Sequence, residues 1–319
     1  MTPNATPNAL PTTPQPAPRP RPDPLDSLPT GPRPRIAYAT GGAIVHPDGR
    51  REVLPGQRRI GITEFARFRD GWVVADERVF EGTVGLAYVA GGRREDLGPC
   101  ASRGATLSDD GASAAWVTQF CPESGFAAPT LVHVAPVTGD SGVAHEISRT
   151  AIAAAVGFVG DEVVVSGFDR RVELVGTDGS VRPMPHLRHA TDAHGGLVAG
   201  LLPGGDSFGA VVDASTGRLW WKRRGIYPEA FSPDGSLLVG RSGRRTAILD
   251  ADTGRVVALA QAPRLTLDNL TWEDDEHLVA SATFRDRSAI LRLDLTGHVT
   301  RVGRVVPIEP WGIAFEEQP

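Results

Sequence analysis

Only one lysine, Lys222, occurs among the 319 residues, and arginine supplies the remaining basic charge. Lysine and arginine together number 33 against 38 aspartates and glutamates, a formal charge of -5. A general nucleic-acid binder usually carries a basic surplus, so no nucleic-acid partner is expected. No run of 18 apolar residues occurs, so no segment of this chain reads as a membrane span. No charged stretch leads into an apolar one at the start, so no signal peptide is visible. There is no Gly-x-Ser-x-Gly elbow, no P-loop and no Gly-x-Gly-x-x-Gly after a strand. Carboxylates are plentiful at turns, but none is marked as an acid-base pair. No cofactor is expected from these patterns.

What is abundant is turn chemistry: 37 glycines and 27 prolines, which favour many short strands over long helices. Residues 231 to 260, FSPDGSLLVGRSGRRTAILDADTGRVVALA, hold four apolar runs separated by turns. The second half of that unit recurs as AIVHPDGRREVLP (43 to 55), LAYVAGGRREDLG (86 to 98) and VELVGTDGSVRPM (172 to 184). It recurs again as AVVDASTGRLWWK (210 to 222) and LRLDLTGHVTRVG (291 to 303). The turn glycines Gly49, Gly92, Gly139, Gly179, Gly217, Gly254 and Gly297 fall 37 to 47 residues apart. A period near 40 with four strands per unit is the pattern of a β-propeller blade.

The first half of the unit recurs as FRDGWVVAD, LSDDGASAAWV, FVGDEVVVSG and WEDDEHLVASA, and more weakly as DAHGGLVAGLL. From Arg35 the chain supplies three strands without an innermost one. PWGIAFEEQP at the other end supplies an innermost strand alone. The expectation is all-β: a seven-bladed β-propeller over residues 35–319, its closing blade built from three N-terminal strands and one C-terminal strand, which removes the open sheet edge. Phe68, Leu107, Phe158, Phe231, Trp272 and Phe315 are expected to end innermost strands and fill the wedges between blades.

FSPDGSLL followed by AILDADTGRVVAL resembles the WD40-like repeat of TolB-like bacterial propellers and of those common in actinobacteria. The eukaryotic Trp-Asp and Gly-His signatures are absent. The resemblance covers residues 35–319 and implies a protein-interaction, scaffold or sensor propeller, often outside the cytoplasm. It implies no reaction. The competing class is a lactonase- or lyase-like propeller enzyme with a site at the channel mouth.

Residues 1–34 contain twelve prolines and few apolar side chains. They read as a disordered, extended stalk or linker. A stalk suits presentation outside the cytoplasm, tethered through an upstream anchor. A plain cytoplasmic protein with a loose end is the alternative, and a monomer is expected in either case.

Candidate site residues come from the loops. Arg170 with Arg171, Arg244 with Arg245, Arg285 with Arg287, and the connector Arg188 gather cations at the expected mouth. Asp70, Asp109, Asp110, Asp234, Asp274 and Glu317 gather acids at the opposite turns. The mouth is therefore expected to take a protein partner or an anionic ligand, steered by a focused field. Trp221, beside Lys222, is the candidate aromatic contact. In HLRHATDAH the ligand-type residues are His189, Asp192 and His194, a weak metal candidate. Strand alternation puts Asp192 and His194 on one face and leaves His189 off it.

Cys100 and Cys121 flank the turn SDDGA. With that turn centred between Asp110 and Gly111, the two cysteines fall opposite each other across an inner hairpin. They are expected to form a disulfide, worth ~3 kcal/mol in the chain-entropy model for a loop of about 20 residues. That implies an oxidising compartment.

Overall fold

The computed structural model describes residues 23–55, 61–76, 84–101, 103–119, 129–138, 142–147, 152–168, 170–204, 208–243, 245–260, 262, 264–308 and 312–319. Among them no helix occurs. The chain enters through β1 (Thr30–Gly31), then β2 (Tyr38–Thr40), β3 (Ala43–Val45) and β4 (Arg51–Val53). Next come meanders of four strands. The first is β5 (Ile62–Phe68), β6 (Gly71–Asp76), β7 (Val84–Ala90) and β8 (Arg93–Ala101). The second is β9 (Thr106–Leu107), β10 (Ser113–Gln119), β11 (Thr130–Pro136) and β12 (Val143–Ile147). It is followed by β13 (Ala153–Val159), β14 (Glu162–Gly167), β15 (Val172–Gly176) and β16 (Val181–Pro183). Then come β17 (His189–His194), β18 (Leu197–Leu201), β19 (Phe208–Asp213) and β20 (Leu219–Arg224). The opening stretch of the repeat forms β21 (Tyr227–Phe231), β22 (Leu237–Ser242), β23 (Arg245–Asp250) and β24 (Val256–Ala260). The last meander is β25 (Thr266–Asp274), β26 (His277–Phe284), β27 (Arg287–Asp294) and β28 (Val299–Pro307), and β29 (Ala314–Glu317) follows.

The turns form for local reasons. Asp213 accepts hydrogen bonds from the Ser215 and Thr216 N–H groups, and Asp250 and Asp294 make matching bonds to Thr253 and Thr296. Such Asx turns reverse the chain without help from distant residues. They also hold all three carboxyls below their usual range; for Asp294 the turn bonds outweigh an opposing push from burial. At Gly254 the turn needs φ +64, and an added Cβ would stand 2.5 Å from the Trp221 ring, so only glycine fits.

Middle strands are buried on both faces, as in β6 and β14, whereas outermost strands such as β4 and β16 are largely exposed. The reason is stacking. One hydrophobic cluster joins Phe68 and Val73 to Leu107 and Trp116 in the next meander. Another joins Val117 and Val132 to Phe158 and Val163, and the pattern continues along the chain. It then closes: Val279 and Ile290 pack with Ile36 and Phe315, while Ala314 and Ile44 pack with Phe65 and Trp72. β29 pairs antiparallel with β2, so the closing unit has three strands from one end of the sequence and one from the other. Phe68, Leu107, Phe158, Phe231, Trp272 and Phe315 are all buried at the expected places.

The N-terminal expectation needs correction. Residues 1–22 lie outside the described residues, but 23–34 are not a free stalk. Leu25 is fully buried in a cluster shared by the β21–β24 and β25–β28 units, and β1 adds to the β25–β28 sheet, parallel to β28. Proline content dominated the composition there, yet one leucine had a pocket to fill.

Candidate functional site

The inner strands β5, β9, β13, β17, β21, β25 and β29 surround a channel of about 510 Å³, and each contributes to its lining. Its middle is acidic. Glu64 faces Arg103, whose Nε lies 3.5 Å from Glu64 Oε1, and the Gly104 N–H donates to the other carboxylate oxygen. Asp192 accepts from the Phe231 N–H at 2.6 Å and the Ala193 N–H at 2.9 Å. Burial nevertheless pushes its carboxyl up to about 7, against those bonds and the pull of Arg103. Burial likewise pushes Glu317 up to about 8; Arg103 opposes this, and Asp192 and Glu64 add to it. Glu229 is also raised by burial, with Arg241 pulling against it. Carboxyls poised near neutrality in a cleft mark a functional candidate.

One end of the channel is latched. His194 Nδ1 lies 3.3 Å from Asp109 Oδ1, and the Gly195 N–H donates to Asp109 Oδ2 at 2.8 Å. Asp109 holds the imidazole above its ordinary pKa. Burial pushes Asp109 upward, but His194 and Gly195 outweigh that and hold it low. This latch joins the β9–β10 and β17–β18 turns across the intervening unit.

The opposite rim is aromatic and basic. Phe168 is 72% exposed and Tyr227 36% exposed, and both line the channel. Arg170 and Arg245 are exposed beside the rim loops, and Arg188 is half-buried. Arg171 lies 3.8 Å from Glu173, and the Arg285 guanidinium sits 5.2 Å from the Phe284 ring centre. Arg244 lies outside the described residues. Arg287 is not a mouth cation: it is engaged by Asp23 and Asp26 of the N-terminal segment. Trp221 is not an exposed contact either. It is buried and donates from Nε1 to the Ala251 carbonyl at 2.7 Å, whereas Trp220 is 40% exposed.

A bulge between Ala190 and Asp192 overturns the strand-parity argument for β17, and His189, Asp192 and His194 all border the channel. They do not form a common ligand set: His189 Nδ1 lies 3.0 Å from Ser166 Oγ, and His194 turns to Asp109. Among the described residues only Glu273, Asp274 and His277 bring three ligand atoms within 4.8 Å of one another. Arginines already answer that cluster, with Arg292 Nε 2.6 Å from Glu273 and Arg35 Nη1 2.7 Å from Asp274. The inner hairpin has the expected register, pairing Leu107 with Ala114. Cys100, however, lies on β8, the outermost strand of the preceding unit, rather than on an inner strand. Its side chain and Cys121 lie outside the described residues.

No protein-family model matches the chain, and no curated protein does. Solved structures do. The β-propeller domain of Cps50 (Swd1) from Myceliophteria thermophila is 15% identical over 78% of this chain and 87% of that one, with a TM-score of 0.53. A chain of the mitotic checkpoint complex is 14% identical over 78% and 81%, with a TM-score of 0.51. The fold is a β-propeller. A third neighbour, the propeller of the trilobed protease from Pyrococcus furiosus, is 11% identical over 78% and 84% at TM-score 0.50. It has an open velcro topology, whereas β29 and β2 pair here. At these identities the likeness fixes the fold and leaves function to the site. Among the described residues no helix is long and apolar enough to cross a membrane.

Sequence reading missed Glu64, Arg103, Phe168 and Tyr227, and it placed Glu317 with the acids opposite the mouth, not in the channel. They belong to separate blades, and no local motif marks any of them.

Proposed function

We propose that this chain is a non-enzymatic interaction propeller of seven blades, one per four-stranded unit, whose protein partner seats on the aromatic and basic rim of the channel. The observation that carries the reading is Phe168, 72% exposed on the channel rim and two residues from Arg170, with Tyr227 also lining the channel. Large aromatics next to arginine are the composition of interface hot spots. The arginines favour a partner with acidic groups around its contact, and they would raise its association rate. Presentation outside the cytoplasm belongs to the same proposal, and the proline-rich composition of residues 1–22 supports it.

The test is cross-linking with a membrane-impermeant reagent on intact cells that make the natural protein. A partner should be captured by the wild type and lost with Phe168→Ala combined with Arg170→Glu and Arg171→Glu. Arg255→Glu, on another turn, should leave capture unchanged. Equal capture by the rim variant would sink the rim reading. Cross-links that form only after lysis would sink the extracytoplasmic one.

A second reading rests on Asp192 and Glu317, held near 7 and 8 in the channel. Such carboxyls can hold or release a proton at neutral pH, which suits a lactonase- or lyase-like site. Hydrolysis of a panel of lactones that survives Asp192→Asn would remove Asp192 from that role.

A further inference from the structure

Residues 23–31, Asp-Pro-Leu-Asp-Ser-Leu-Pro-Thr-Gly, run along the outer rim of the β25–β28 blade. Their first turn closes on itself: the Leu25 N–H donates to Asp23 Oδ1, and Ser27 Oγ donates to the Pro24 carbonyl, each at 2.8 Å. Three kinds of contact then fix the segment to the blade. Leu25 is fully buried in the cluster that holds Ala289 and Leu291. Arg287 forks, with Nη1 donating at 2.7 Å to both Asp23 and Asp26 and Nη2 donating to Asp26 at 3.0 Å. Thr30 and Gly31 run beside Arg301 and Val302 of β28, and the Arg301 N–H donates to the Pro29 carbonyl at 2.8 Å. A Cβ on Gly31 would stand 2.4 Å from Thr300 Oγ1, so this position also selects for glycine.

An apolar anchor, a charged fork and an added strand are the parts by which folded domains recognise linear peptides. The β27–β28 edge supplies the charged fork and the strand pairing, while the apolar cluster around Leu25 also takes in Val239, Ile248 and Ala260 of the neighbouring blade. A short edge strand of this kind opens at lower cost than the fold as a whole. We infer that the outer edge of β26–β28 is a docking groove for an extended acidic–leucine segment, filled in this chain by its own residues 23–31. The segment leaves and returns while the propeller stays folded, so the β28 edge alternates between covered and open.

The test uses the full chain and a fluorescent peptide of residues 23–31. In the double variant Asp23→Arg with Asp26→Arg, Arg287 repels the chain's own segment and the groove is unchanged. The peptide should bind this variant at least about tenfold more tightly than it binds the wild type. Adding Arg287→Glu to the protein, or Leu25→Ala to the peptide, should abolish that gain. Should the double variant not fold, hydrogen exchange on the wild type decides. The Arg301 amide should exchange about tenfold or more faster than amides in the middle of β27. Equal peptide binding to wild type and variant, or exchange of Arg301 in step with β27, overturns the proposal. A concentration-dependent wild-type dimer that shares these segments overturns the assignment to the same copy.

Discussion

β29 and β1 are both short strands laid onto a sheet by segments far apart in the sequence, yet they carry different burdens. β29 is innermost and makes two ladders, antiparallel to β2 and parallel to β5. Its Ala314 and Phe315 belong to two separate hydrophobic clusters, one on each side of the closing blade. β1 is outermost, makes one ladder of two residues, and is helped by a single fully buried leucine. A strand at the centre of the ring is shared by neighbours, and its loss opens edges on both sides. A strand at the rim is an attachment, and its loss opens one.

The largest effect that follows is on cooperativity. Deleting residues 312–319 should remove β29, leave β2 and β5 unpaired on that side, and strip Phe315 from its cluster. The expected result is aggregation or a broad, non-cooperative melt. Leu25→Ala should instead cost about 2 kcal/mol, at the low end for a buried leucine because the segment can detach, and keep a single sharp transition. Thermal unfolding followed by circular dichroism compares the two. A deletion variant that melts like its parent would show that ring closure is not what holds the blades together.

The same contrast can be sharpened within one outer strand. Trp221 is buried against the next blade, with its indole N–H bonded to Ala251, and its neighbour Trp220 faces solvent. Trp221→Ala should cost about 3 kcal/mol or more in urea unfolding, the usual scale for a buried tryptophan. Trp220→Ala should stay within about 0.5 kcal/mol. Similar losses for both would mean that the outer strand is more deeply packed than its exposure indicates.

That pair also shows where sequence reading reaches and where it stops. The blade pattern was legible because each hairpin carries its own turn chemistry, and Leu107 opposite Ala114 is the register the SDDGA turn dictates. Which tryptophan is buried was not legible. A bulge opposite Val211 and Val212 leaves Trp220 out of the pairing, and the sequence does not mark it. The bulge in β17 had the same consequence for His189, Asp192 and His194. The acidic well was invisible for a different reason. Glu64, Asp192 and Glu317 are ordinary strand residues until ring closure brings them around Arg103. The segment at 23–31 was hidden by its prolines, although its Asp and Leu pattern was in plain view.

The smallest expected effect lies in that well, and it distinguishes the inner ring from the rim by pH. Glu317 stands in the channel with its carboxyl pushed up to about 8 by burial, among Arg103, Asp192 and Glu64. A carboxyl raised in the folded state stabilises the fold fully below its unfolded pKa of about 4.3, and that contribution is lost as pH climbs through the folded value. Glu317→Gln removes the titration and keeps the shape. The variant should match the wild type near pH 4 and gain on it between pH 5 and 8. By pH 9 the lead should be about 1 kcal/mol, or about 2 °C in Tm. The scale is kept small because Asp192 titrates in the same well and takes up part of the change. Trp220→Ala, on the rim, should show no such pH dependence. A Glu317→Gln variant that tracks the wild type from pH 4 to 9 would mean that water in the channel solvates this carboxylate well. The inner ring would then be no more selective about charge than the outer edge.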